Sequence, residues 1–367
     1  MWERFFDFFV DTMAAFFIPL VCSYHILTDN LFFNAAIEKA PFFERTANVL
    51  LVPFQYVCDG RRAFRDERGT WQWERRFDYS NHYWPKTVVC AILLPPSLIL
   101  GGALKALSFC NETTRQNYFA LEAALYDEKV ELHAAAYAEM GMKVGGSESV
   151  QQLECQGYLR RPGDEQHLGA MKRCLGEIAA LFNQAHIPWW IDCGSCLGAL
   201  RYGGVIPWDN DIDISVLITD FENVRRVLHG LDRVKYLVQD WSTRDVPNSF
   251  FKIYIRGTGQ LVDIYFYEID AEKQEIRYIF SLETNIFFPD WWKERERRFT
   301  VPVSFDLVFP LRKALFDGVE VFVPNDTVKF LQRYYGENLN PAKIYDEKTG
   351  RYEKDLSHPY WQMPYAH

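Results

Sequence analysis

The chain has 367 residues, 49% hydrophobic and 24% charged, which is enough apolar side chain to bury a core and too much for a disordered segment. Its formal charge of −9, with no Lys/Arg-rich block, argues against nucleic acid as the main partner, because a phosphate backbone needs a basic field. The eight cysteines are scattered along the chain, a usage that suits a reducing compartment rather than a disulfide framework.

Two apolar runs mark the first part of the chain. Phe8 to Leu27 is interrupted by Asp11, whereas Thr87 to Leu104 carries no charge over roughly the length of a bilayer span. Pro95-Pro96 and Gly101-Gly102 are expected to kink or break a straight helix there, so a bent span or a re-entrant hairpin fits as well as a simple crossing. The alternative is that both runs are core helices of a soluble domain. A cleaved signal peptide is not expected, since Glu3 and Asp7 spoil a basic start and no small-residue cleavage site follows.

Between the runs lie nine basic residues (Lys39, Arg45, Arg61, Arg62, Arg65, Arg68, Arg75, Arg76 and Lys86), which the positive-inside rule keeps cytoplasmic. If the runs dip into one leaflet, the remainder is cytoplasmic as well; if both cross, it is lumenal. Trp71, Trp73, Tyr79, Tyr83 and Trp84 suit an interfacial surface. Residues 1–110 are therefore expected as a mainly helical, apolar, membrane-associated region.

Residues 111–165 read as a helical connector, with Leu121 to Tyr137 rich in Ala, Leu and Glu and Gly145-Gly146 ending it. From 166 to 345 the pattern is that of a catalytic α/β domain, leaving 346–367 as a C-terminal tail. His167 to Ala185 has apolar residues at helical spacing, and so has the segment from Phe221 to Leu231. Trp189 to Ile191, Val234 to Val238, Phe250 to Ile255 and Leu261 to Tyr267 predict strands.

Three local features in that domain carry chemistry. The first is Gly194-Ser195, expected at a turn after the Trp189–Ile191 strand, where a glycine lets backbone approach a phosphate and Ser195 adds a hydroxyl. The second is Asp211-Ile212-Asp213: in an extended strand the two carboxylates share a face and Ile212 and Ile214 point to the core. Such a pair repels itself unless a cation sits between, and hard oxygen ligands at this spacing suit Mg²⁺ or Mn²⁺. The third is Asp263 in the apolar strand Leu261–Tyr267, either a buried partner for a basic residue or a third acid that ligates metal or acts as a base. Lys252 is a weaker phosphate-binding candidate, balanced by its reading as a snorkelling surface lysine. Cys193-x-x-Cys196 has no second pair to complete a zinc site and reads as two small residues near a turn.

Gly-Ser, then the Asp211/Asp213 pair, then Asp263 on successive strands resembles the nucleotidyltransferase superfamily to which DNA polymerase β belongs. The stretch from Gly194 to Ile214, with Leu197-Gly198-Ala199, Arg201 and Ile206-Pro207-Trp208-Asp209, is similar to the LicD family, which includes bacterial phosphocholine transferases and fukutin-type ribitol-phosphate transferases. Val262-Asp263-Ile264, Phe309-Pro310-Leu311, Phe316-Asp317-Gly318-Val319 and Leu331-Gln332-Arg333-Tyr334-Tyr335-Gly336 extend the likeness over roughly half the chain. Cys196 replaces a usual Leu, and Asn210 stands where many bacterial members have Asp.

The resemblance implies an α/β (α+β) fold, a nucleotidyltransferase-like mixed sheet flanked by helices. It implies transfer of a phospho-substituent (phosphocholine or an alditol phosphate) from a CDP-linked donor to a hydroxyl of a glycan or lipid-linked glycan. Asp211, Asp213 and Asp263 are the expected metal ligands and catalytic acids. Gly194, Ser195, Arg201 and Lys252 are the expected phosphate-binding residues, and Asp209 either orients Arg201 or the metal site or is simply a turn residue after Trp208. The competing readings are nucleotidyl transfer from an NTP and a catalytically inactive membrane-associated scaffold.

Overall fold

The computed structural model describes residues 40–57, 61–65, 71–75, 77, 82–127, 132–144, 152–243, 246–283 and 289–363, in two units that divide between Lys129 and Val130. The apolar run Phe8–Leu27, Tyr79 and the Gly145-Gly146 pair lie outside the described residues. The division falls within the segment 111–165 expected as a connector. The helix expected across Leu121–Tyr137 is two helices, one in each unit, ending at Asp127 and starting at Ala134.

Unit 1 holds α1 (Phe42–Leu50) and α2 (Val52–Val57), then an antiparallel pair, β1 (Arg61–Arg65) and β2 (Trp71–Arg75). α3 (Tyr83–Pro96) passes through a π-helical turn, Ser97–Gly101, into α4 (Gly102–Ser108), and α5 (Glu112–Asp127) follows. Pro95 and Pro96 do not break the helix. They contribute no N–H to the ladder, and the widened turn directly after them absorbs the lost register. The result is a continuous 26-residue helix, Tyr83–Ser108, whose most apolar 18-residue window has mean hydropathy 2.1, long and apolar enough to cross a membrane. α4 lies against α1 and α3 against α2, so the two arms form an antiparallel helical hairpin.

Unit 2 begins with α6 (Ala134–Glu139) and the long α7 (Asp164–Gln184), the latter close to the helix expected from His167. Next come β3 (Trp189–Ile191), α8 (Cys193–Tyr202), β4 (Asp211–Leu217), α9 (Phe221–Leu228), β5 (Tyr236–Asp240), β6 (Phe250–Ile255), β7 (Leu261–Asp270) and β8 (Glu275–Tyr278). α10 (Asp290–Arg297), β9 (Val303–Ser304), α11 (Phe305–Val308), the β10–β11 hairpin (Arg312–Phe316, Val319–Val323), α12 (Thr327–Tyr335) and the β12–β13 hairpin (Lys343–Asp346, Arg351–Lys354) complete it.

The sheet runs β3-β4-β7-β6-β5, with β8 on the far part of β7 and β9 on β8. Only the β4–β7 neighbours are parallel; the other pairs in this sheet are antiparallel. It is a mixed sheet flanked by helices, the class expected.

Period-two alternation decides what each face carries. Ile212, Ile214 and Val216 of β4, Val262, Ile264 and Phe266 of β7, and Phe251, Ile253 and Ile255 of β6 all join the core shared with Leu168, Met171, Leu175 and Ile178 of α7. Burying each such side chain stabilises the fold by about 1.5–3 kcal/mol. The residues between them, Asp211, Asp213, Asp263 and Lys252, therefore emerge together on the opposite face. A one-residue slip in any strand would send its charge into the core, so the core fixes the register of the site.

Candidate functional site

Asp213 and Asp263 are direct neighbours across the parallel β4–β7 pair, and Lys252 is directly opposite Asp263 across β6–β7. Asp211 lies two residues before Asp213 on the same face. One carboxylate oxygen from each of Asp211, Asp213 and Asp263 falls within 4.8 Å of the others. An octahedral ion with ligands at about 2.1 Å places opposite oxygens about 4.2 Å apart, so this set reaches a single Mg²⁺ or Mn²⁺ with a small closure. The donor set fits the ion: all oxygen, all acidic, on rigid strands.

Electrostatics point the same way. Burial holds the carboxyl of Asp213 well above the usual carboxylate range, and repulsion from Asp211 and Asp263 adds to it. Burial likewise raises Asp211, with Lys252 opposing, and raises Asp263 to about 6 against the same lysine. Asp209 is pushed up to about 7 by burial and by Asp211. A cation among these groups would reverse every one of those shifts. Lys252 already supplies part of that charge, since its Nζ donates to both oxygens of Asp263 at 2.8 Å. Asp263 Oδ2 also accepts from Tyr265 Oη at 3.3 Å, so Oδ1 is the oxygen that keeps a second lone pair for a metal.

The Gly-Ser pair is not in a turn. β3 ends at Ile191, Asp192 caps the helix, and Gly194 and Ser195 lie in the first turn of α8. The cap decides the geometry. Asp192 Oδ1 accepts from the Cys193 N–H at 2.7 Å, and Oδ2 accepts from Ser215 Oγ and Tyr267 Oη, each at 2.7 Å. The Asp192 N–H also donates to the Asp213 carbonyl at 3.0 Å. Ser195 Oγ accepts from the Asp213 N–H at 2.8 Å, so its hydroxyl pins the strand from behind and its side chain is not among those lining the cleft. Gly194 does line it: a Cβ there would stand 3.1 Å from Asp209 Oδ2 and 3.8 Å from Asp213 Oδ2. The glycine thus lets the helix start beside the acids, and a helix N-terminus favours a nearby anion.

Arg201 reaches the cleft wall, but its Nε and one Nη donate to the carbonyls of Leu339 and Asn340 at 2.6 and 2.7 Å. The guanidinium is buried and holds the 339–340 loop against α8, acting first as a strut. Asp209, expected to orient Arg201 or the metal site, sits beside Gly194 at the acid wall. Cys193 and Cys196 are free thiols whose pKa values burial pushes up.

The cleft above the acids has a volume of about 550 Å³. Its aromatic wall includes Trp241, Phe250 and Tyr265, the last two stacked with ring centroids 4.9 Å apart. Arg295 and Arg298, from α10 and the turn after it, also line the cleft; Arg295 Nε donates to Glu296 Oε1 at 2.9 Å, and Arg298 lies over the Phe299 and Tyr335 rings. Residues expected as a tail form a further wall. His358, Tyr360 and Trp361 line the cleft, and Lys343 Nζ lies 5.1 Å from the Trp208 ring centroid and 6.0 Å from that of Trp361. Sequence reasoning missed Asp192, the two arginines and this last wall. Asp192 had a detectable signal, a helix-capping residue type directly before the Cys193–Tyr202 segment. The arginines and the C-terminal aromatics stand in no spacing pattern that marks them.

Residues 186–326 match the family described as LicD/FKTN/FKRP, nucleotidyltransferase domain. An uncharacterized protein of Rickettsia prowazekii is 28% identical over 166 residues, 45% of this chain and 53% of that protein. The human ribitol 5-phosphate transferase FKRP is 25% identical over 188 residues, 48% of this chain and 34% of the relative. The ribitol-5-phosphate transferase FKTN of Macaca fascicularis is 24% identical over 181 residues, again 48% of this chain and 35% of the relative. The chain thus spans about a third to a half of the length of these relatives. The motif from Gly194 to Asp213 and all three converging acids lie inside this matched segment, so residues 186–326 are what this chain shares with the LicD/FKTN/FKRP domain.

Proposed function

We propose that this protein transfers a phospho-substituent, an alditol phosphate or phosphocholine, from a CDP-activated donor to a hydroxyl of a glycan or lipid-linked glycan. The observation that carries the reading is the convergence of Asp211, Asp213 and Asp263 within 4.8 Å at the floor of an aromatic and basic cleft. The FKRP and FKTN relatives are ribitol-phosphate transferases, which supports the same chemistry.

Asp211, Asp213 and Asp263 would hold Mg²⁺ or Mn²⁺, which when bound neutralises phosphate charge and favours in-line displacement at phosphorus. Asp263 fits a ligand better than a base, because both of its oxygens already accept from Lys252. Lys252 keeps that carboxylate aligned and places a fixed positive charge at the acid wall. Arg295 and Arg298 bring positive charge to the cleft where charge develops on the leaving nucleotide phosphate, and the N-terminus of α8 favours that anion. The aromatic wall offers flat apolar surface to a base or a sugar ring and excludes water from the reacting phosphate. The chain would work at a membrane, as its 26-residue apolar helix suggests.

Product analysis tests the chemistry. Incubation with CDP-ribitol, CDP-glycerol or CDP-choline, a glycan acceptor and Mn²⁺ should release CMP. Pyrophosphate release from an NTP would point instead to nucleotidyl transfer, and no product from any donor would leave a scaffold.

A further inference from the structure

The hairpin of unit 1 is built with its polarity reversed. The side of the Tyr83–Ser108 helix that meets α1 and α2 carries Ser97, Gly101, Lys105 and Ser108, spaced four, four and three residues apart and so on one helix face. Ser97 Oγ donates to the Leu50 carbonyl at 2.7 Å, and a Cβ on Gly101 would stand 2.7 Å from Leu51 Cγ. Lys105 Nζ donates to Asn48 Oδ1 at 3.1 Å and to Glu44 Oε1 at 3.3 Å, with Lys105 2% and Glu44 3% exposed. The outer surface is the apolar one: Trp84, Ile92 and Ile99 are 71%, 70% and 71% exposed, and Phe42 and Val49 of α1 are exposed as well.

Water disfavours each part of this arrangement. It penalises the bare apolar surface, and a buried lysine–glutamate pair recovers little beyond its own desolvation. Hydrocarbon reverses both terms. Apolar side chains meet lipid without penalty, small residues let the helix backbones approach, and Glu44 and Lys105 face inward onto each other, while the exposed Arg45, near the start of α1, can snorkel to the interface. The dimensions agree: the uncharged stretch from Thr87 to Leu104 spans about 27 Å at 1.5 Å per residue, against a hydrocarbon core of about 30 Å. In α3, Tyr83, Thr87, Cys90 and Leu94 are half-buried and the other residues are exposed, so the bare surface covers most of the helix. A second copy or a partner protein covers one further face of a helix; lipid covers all of the exposed part.

We propose that residues 42–57 and 83–108 form a helical hairpin embedded in bilayer hydrocarbon, with α3–α4 crossing it and the Glu44–Asn48–Lys105 cluster holding the two arms together inside. This rests on the membrane part of the function proposed above and is independent of the transfer chemistry.

The test uses the full chain reconstituted into phosphatidylcholine–phosphatidylglycerol vesicles and washed with alkaline carbonate. Wild-type protein stays with the vesicles. Ile92→Asp combined with Ile99→Asp, both on the outer surface, lowers the retained fraction at least about tenfold. Lys105→Met lowers retention, and adding Glu44→Leu restores it, a rescue that separates loss of the seam from general misfolding. Circular dichroism of every variant confirms that the remaining helix and strand are intact. Release of the wild type by carbonate or by salt alone overturns the embedding but leaves a peripheral membrane protein. A discrete oligomer that stays in solution without lipid or detergent overturns the membrane reading too, and neither outcome touches the CMP-release test.

Discussion

The two units solve the burial of charge in opposite settings. Unit 2 has an apolar core with Asp211, Asp213 and Asp263 crowded together on one sheet face, where Lys252 pairs with Asp263. Unit 1 places a charge-balanced pair, Lys105 and Glu44, in its seam and turns much of its apolar surface outward. The lesson lies in the balance of charge. A buried pair that neutralises itself is structural, whereas a buried cluster with excess negative charge is arranged for something else to neutralise.

The sharpest way to break that contrast is to remove one charge from each unit. Asp213→Asn should lower transfer by a factor on the order of 10³, while raising the melting temperature of the metal-free protein because a repelling carboxylate is gone. Steady-state rates and thermal melts on one preparation check both halves. A loss of stability together with activity would make Asp213 an ordinary structural residue.

Lys105→Met should do the reverse, leaving Glu44 uncompensated and destabilising the hairpin by about 3–5 kcal/mol, with the Lys105→Met/Glu44→Leu double variant near wild type. Denaturation in lipid, followed by hydrogen exchange across 83–108, reads this out. Equal losses in single and double variants would contradict the pairing.

The next effect is a pH dependence confined to unit 2. Asp263 and Asp209 titrate near 6 and 7 in the fold and near the ordinary carboxylate value when unfolded. The folded state therefore holds protons that the unfolded state releases, so metal-free stability falls as pH rises from about 4 to about 7 and then levels. The fall should amount to several degrees in melting temperature, and Mn²⁺ should largely abolish it. A metal-free melting temperature that rises over that range would contradict the account.

The smallest effect calibrates the others. Lys313 and Glu320 form an exposed cross-strand pair at 2.8 Å, and Lys313→Ala should change stability by less than about 0.5 kcal/mol. A larger change would mean that surface charge pairs carry weight here that the comparison denies them.

Much of unit 2 was legible because apolar residues mark its strands. β6 and β7 start where the apolar pattern starts, and alternation along β4 put Asp211 and Asp213 on one face, while the sequence left Asp263 open between an ion-pair partner and a third acid. Ser195 and Arg201 show the limit of that reading. A motif marks that a residue matters but not which way its side chain turns; here the Asp213 amide and the 339–340 carbonyls take up their polar atoms. The cleft's outer wall was not legible, since Arg295, Lys343, His358 and Trp361 converge only through tertiary folding. In unit 1 the composition of Thr87–Leu104 was plain, but the Glu44–Lys105 seam joins residues 61 apart that no local pattern links.

The central claim is that the three aspartates hold a divalent cation that the donor needs. Thermal melting of the full chain with CDP-ribitol, CDP-glycerol or CDP-choline, each with and without Mn²⁺, tests it most directly. The account predicts that one CDP donor stabilises the wild type only when Mn²⁺ is present, and that Asp213→Asn abolishes the shift. A donor shift of equal size without metal, or one that survives in Asp213→Asn, would contradict it.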